Sequence, residues 1–244
     1  MWYCETMRVI IILGFISVFI ALSLFTNMFR MFKSVLLILQ VDSYEQTVIG
    51  NKAILVIGDS TGYGTGAGDA RFSIAGLMGK DFPLYSIINN SSNGRTIPQA
   101  ITVFKQVPED AQYDLILLQI GANDILQKRD PGIVRTELIS LYTEAKKHSQ
   151  NVVMLSNGNI GASYAFKGKE AETYTELSRE FRIVYMEAAD VNGVHYVDLF
   201  EEPEDDVFVS DPKKYTAFDG LHPSAQGYMV WYKKLEPVLR ELLR

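Results

Sequence analysis

Five short apolar runs, each followed by room for a helix, constrain this chain more than any other feature. They read AILVI at 53–57, LYSII at 84–88, DLILLQI at 114–120, NVVML at 151–155 and VHYVDL at 194–199. Rich in Ile, Val and Leu and poor in alternation, they fit strands buried on both faces. Stretches of helical character fill the gaps at 70–79, 97–107, 131–149, 171–191 and 224–243. In the last of these, Tyr228, Trp231, Tyr232, Leu235 and Leu239 recur at helical spacing. Strand and helix alternating in this way predict an α/β domain of three layers, a five-stranded parallel sheet of flavodoxin-like arrangement with helices on both faces. A composition 48% hydrophobic and 21% charged is that of a globular chain.

The start of the chain obeys a different rule. No charged residue lies between Arg8 and Arg30, and 9–25 is almost wholly apolar. As a helix that run spans roughly 30 Å, the thickness of a bilayer core. It is longer than the apolar region of a signal peptide, and the weak cleavage candidate ALS at 21–23 lies inside it. The expectation is an uncleaved membrane helix through residues 9–29, with a cleaved signal peptide as the competing reading. The chain then divides into an anchor at 1–33, a connector at 34–52 and a domain at 53–244. Arg30 and Lys33 against Arg8 and Glu5 slightly favour a cytoplasmic domain by the positive-inside count. Long domains translocate despite so small a bias, and the domain is expected on the extracytoplasmic side.

Charge and cysteine content narrow the partners. Net charge is −6, and removing residues 1–33, with three basic and one acidic side chain, leaves −8. An acidic globule lacks the basic face that nucleic acid requires. One cysteine, Cys4, permits no internal disulfide, and three histidines leave little scope for a metal site. No metal or organic cofactor is expected.

In open α/β sheets, ligands bind beyond the carboxyl ends of the strands. The segments following the runs are GDSTGYGTGAGD, NNSSNGRT, GANDIL, SNGNIGAS and, after the fifth, a long loop reaching AFDGLHPSAQGY. Ser60, between two near glycines, is either a nucleophile on a tight turn or merely a turn or cap residue. A serine nucleophile needs a base, and the base an orienting carboxylate. Of the histidines, His148 follows two lysines and reads as solvated, and His195 sits in a strand and reads as packing. His222 lies three residues after Asp219, a spacing that lets the carboxylate turn back onto the ring. Asn123 and Gly94 offer oxyanion donors, a side-chain amide and a backbone N–H. Taken singly, each is equally a turn residue.

Four blocks together resemble the SGNH (GDSL) serine hydrolases: GDST at 58–61, NNSSNG at 89–94, GAND at 121–124 and DGLHP at 219–223. The resemblance extends over the whole region from 53 to about 240. It implies Ser60 as nucleophile, His222 as base and Asp219 as its orienting acid. The oxyanion hole would comprise the Ser60 and Gly94 N–H groups and the Asn123 side chain. Asp59 would be structural, and Thr61 stands where the family name has leucine. The stretches GTGAGDARFSIAGLMGKDFP at 64–83 and WYKKL at 231–235 resemble a bacterial membrane-anchored branch of the family. GDSTG also fits the G-x-S-x-G elbow of α/β-hydrolases, but Ser60 follows the first strand and no HGGG-like loop precedes it.

The function expected is hydrolysis of lipid-like or small acyl esters. The alternatives are O-acetyl ester cleavage on envelope glycans, acyl transfer by the same residues, and a non-catalytic binding module. Tyr63, Phe72, Tyr164 and Phe166 are candidates to receive an acyl chain. Composition does not reveal the oligomeric state.

Overall fold

The five apolar runs form strands β1 (Ala53–Gly58), β2 (Ser86–Asn89), β3 (Leu115–Gln119), β4 (Val152–Leu155) and β5 (His195–Val197). All neighbours are parallel, in the order β2-β1-β3-β4-β5. This computed structural model describes residues 28, 32–37, 40 and 42–243. Apart from residue 28, the expected span at 9–29 lies outside the described residues. Among those described, no helix is long and apolar enough to cross a membrane. The chain divides into two units at 36/37, and the sheet with its helices belongs to the second, Leu37–Arg244.

Alternate strand residues feed two separate cores. Leu55, Ile57, Ile116, Leu118, Val152 and Met154 face one side. There they meet α3 (Ile97–Val103), α5 (Pro131–His148) and α6 (Lys169–Val191) through residues such as Ile97, Leu138, Tyr142 and Phe181. Ile54, Val56, Leu115, Leu117, Val153 and Leu155 face the other side. They meet α2 (Ile74–Asp81) and α9 (Ala225–Leu242) through Met78, Tyr228, Tyr232 and Leu235. Burial on both faces explains why the strands lack alternation.

Helix boundaries follow the capping residues. Ser73 accepts the Gly76 N–H and starts α2 at Ile74, so the expected helix at 70–79 opens instead as a separate 3-10 turn at Ala70–Phe72. Asp130 caps α5 with Pro131 in its first turn, and Lys146 and Lys147 lie in its last, cations at the negative end of the helix. His148 is not solvated as expected. It is buried, stacks on Phe104 at 5.8 Å and bonds through Nδ1 to the Ala111 carbonyl at 2.9 Å. His195, expected to pack inside its strand, is exposed, because it is the first residue of a three-residue edge strand. In the connector, Gln46 forms an antiparallel bridge with Ile87 and covers the outer edge of β2.

Short helices bridge β5 to the last segment: α7 (Val207–Ser210) and α8 (Pro212–Tyr215). Buried Asp206 caps α7 by accepting the Phe208 N–H at 2.8 Å. Burial pushes its carboxyl up from 3.8 to about 6, and the cap bond only partly offsets this. The folded state therefore holds this proton to higher pH than the unfolded chain, and stability falls as pH rises from 3.8 to about 6. Asp206→Asn keeps an acceptor for the cap and removes the titration. Urea unfolding should find the variant more stable than wild type at neutral pH by on the order of 1 kcal/mol, with the gain gone at pH 3.

Candidate active site

The sheet order places a topological switch between β1 and β3, since the connection from β1 turns toward β2 and the next returns to the far side. Ser60 leaves β1 at this switch. It is the first residue of α1 (Ser60–Tyr63), a single turn capped by Asp59. Gly58 lets that turn lie hard against the sheet. A Cβ there would come within 2.6 Å of the Gln119 carbonyl and 2.9 Å of Gly62 Cα. The serine is thus both a helix-start residue and a candidate nucleophile, and its N–H, in the first turn, has no intrahelical acceptor.

The structure brings Ser60, His222 and Asp219 together from positions far apart in the chain. His222 Nε2 lies 3.0 Å from Ser60 Oγ, and Nδ1 lies 2.6 Å from Asp219 Oδ2. The other Asp219 oxygen accepts the N–H groups of Leu221 and His222 at 3.0 and 3.1 Å. Burial alone would push the Asp219 carboxyl up. The hydrogen bond from His222 and those two N–H groups outweigh it and hold the carboxyl below its usual range. An ionised carboxylate can only accept, so Nδ1 carries the proton and Nε2 of the neutral ring is left to accept from Ser60 O–H.

Asn123 and Gly94 arrive from either side. Asn123 sits in α4 (Ala122–Leu126) directly beyond β3, and Gly94 in the loop beyond β2 with φ of +77°, a conformation that favours glycine. The Asn123 amide donates one N–H to the Arg95 carbonyl at 3.0 Å, leaving the second for another acceptor. Among the described residues, the N–H groups of Ser60 and Gly94 have no acceptor. Arg95 was not singled out by the sequence. Its guanidinium reaches the Gly58 carbonyl at 3.4 Å and also bonds the Asn90 carbonyl, so it stitches the glycine loop to the end of β1.

Asp59 holds α1, which carries Ser60, and α4, which carries Asn123, in register. Fully buried, it accepts Thr61 N–H and Oγ1 on one oxygen, both at 2.8 Å, and Ala122 N–H on the other at 3.3 Å. The threonine in place of leucine thus adds a bond to this carboxylate. Burial pushes Asp59 above the usual carboxylate range despite these bonds and the attraction of His222. Of the candidate aromatics, Tyr63 is half-buried in α1 and Phe72 is exposed. Tyr164 and Phe166 line a pocket beside the β4 connection.

A serine bonded to a histidine that is itself held by a buried carboxylate is the arrangement of a serine hydrolase. The chain matches the GDSL-like lipase/acylhydrolase family over residues 56–230 and belongs to that family of ester hydrolases. It is similar to an arylesterase of Vibrio mimicus, 26% identical over 142 residues, which make up 58% of this chain and 64% of that protein. The match thus spans less than two thirds of that relative's length. A solved lipase/acylhydrolase from Enterococcus faecalis shares the fold, with a TM-score of 0.60 at 18% identity over 78% of this chain and 96% of that one. So does a carbohydrate acetylesterase family member from Sinorhizobium meliloti, with a TM-score of 0.59 at 18% identity over 79% of this chain and 99% of that one.

Asp59→Asn puts an amide N–H where one of two oxygens must accept. One buried donor then loses its partner, at a cost of about 1–3 kcal/mol. Denaturant titration of the variant should show that loss, and an unchanged midpoint would mean the carboxylate does not clamp the two helices.

Proposed function

We propose that the chain is a membrane-tethered ester hydrolase in which Ser60 is the nucleophile, His222 the general base and Asp219 its orienting acid. The observation that carries this reading is the unbroken relay from Ser60 Oγ through both ring nitrogens of His222 to a buried, ionised carboxylate. Ser60 Oγ attacks the ester carbonyl as its proton passes to Nε2. The oxyanion is received by the Ser60 and Gly94 N–H groups and the Asn123 amide. The alcohol departs with the proton from Nε2, and water repeats the sequence on the acyl-enzyme. Each step is proton transfer or addition at carbonyl carbon and calls for no cofactor. Tethering through residues 9–29, with the domain extracytoplasmic, is supported by the charge-free run between Arg8 and Arg30. A tether favours esters at or near the membrane, lipid-like or of small acyl groups.

A fluorophosphonate probe should label the full-length protein, and neither Ser60→Ala nor His222→Ala. Equal labelling of Ser60→Ala would remove Ser60 from the mechanism. Asn123→Ala should lower kcat by roughly 10²–10³, the usual effect of losing an oxyanion donor, measured on any ester the wild type turns over.

A further inference from the structure

A second concavity lies along the same edge of the sheet and contains neither the triad nor the oxyanion donors. A pocket of about 550 Å³ opens where the β4 and β5 connections meet the first turns of α6, walled by Tyr164, Phe166, Phe208, Val209, Glu176 and Arg179. Gly94, Ser60 and Asn123 stand beyond β2, β1 and β3, so in the order β2-β1-β3-β4-β5 the pocket continues their row toward β4 and β5. The Asp219–His222 loop adjoins it. The Gly220 carbonyl accepts Ser163 Oγ at 2.5 Å and Ala165 N–H at 2.9 Å, which bonds the pocket wall to the residue next to Asp219.

The chemistry of ester cleavage decides what belongs on that side. The carbonyl oxygen must turn toward Gly94 and Asn123, while the departing oxygen must lie within reach of His222 Nε2 to take its proton. The Ser60 Oγ–carbon bond forms first, and as the resulting oxyanion collapses the carbon–alcohol bond breaks and the serine proton, carried by Nε2, leaves on the alcohol. The alcohol portion therefore extends on the side of His222, toward the pocket. The lining there mixes aromatic faces with charges of both signs. Tyr164 is 57% exposed, with the Lys167 ammonium 4.8 Å from its ring centroid. Glu172 and Glu176 stand one turn apart on α6, and Arg179 beside them pairs with Glu202 at 2.7 Å. An alkyl chain would strip water from these carboxylates and give no bond in return. A ring bearing many hydroxyls would offer apolar faces to the aromatics and donors and acceptors to the charged groups.

Resting on the Ser60 reading, we propose that this pocket binds the alcohol portion of the substrate and that this alcohol is a sugar or a similar polyol. The test holds the acyl group constant and varies the alcohol. Full-length protein in detergent is assayed on acetylated methyl glucoside and on ethyl acetate, as wild type, Val209→Trp (which fills the pocket) and Glu176→Gln. Wild type should favour the sugar ester about tenfold or more in kcat/KM. Val209→Trp should abolish that preference and Glu176→Gln reduce it, both mainly through KM, with ethyl acetate turnover and fluorophosphonate labelling retained. A labelled wild type without the preference would overturn the proposal, as would variants that keep it in full or that shift acyl-length selectivity on ethyl esters instead. A wild type that does not label overturns the Ser60 reading itself.

Discussion

The upper edge of this sheet is organised by one buried carboxylate. Asp59 receives N–H groups from two short helices that begin where β1 and β3 end. Without that shared acceptor, α1 and α4 would each start with an unpaired buried donor, and their relative position would rest on packing alone. Ser60 rides on one and Asn123 on the other, so a single carboxyl group ties the two residues to one another.

Two aspartates near the same histidine illustrate how surroundings assign work. Both are buried. Asp219 faces the imidazole and two N–H groups and stays below the usual range, whereas Asp59 is dominated by desolvation and rises above it. Of the two, only Asp219 bonds the imidazole, and the same contact helps keep its carboxyl low. The carboxyl group next to the serine in sequence is thus not the one that meets the imidazole; that one lies 159 positions after Ser60.

The fold was legible because burial on both faces leaves a strong mark: each apolar run became a strand, with boundaries shifted by a residue or two. The longer helices were legible for the same reason, since their apolar faces repeat. What escaped was set by contacts distant in sequence or by very short elements. Helices of four residues such as α7 and α8 have no room for a period, and His148 was misread because its lysine neighbours say nothing of Phe104 folding back over it. Ser60, His222 and Asp219 were legible as residue types at strand ends. Their mutual distances, the Asp59 clamp and the Arg95 stitch were not, because these rest on tertiary approach and on backbone N–H and carbonyl groups, which leave no signature in side-chain identity.

The bridge from Gln46 to Ile87 has a consequence for motion. An edge strand is the part of a sheet that opens most readily, and β2, four residues long, is both an edge strand and the support of the Gly94 loop. A second set of backbone bonds on its outer side makes opening cost partners on both flanks. The segment ahead of the domain thus acts as a brake on fraying, and the placement of the Gly94 loop beside Ser60 is bound up with residues that precede the first strand.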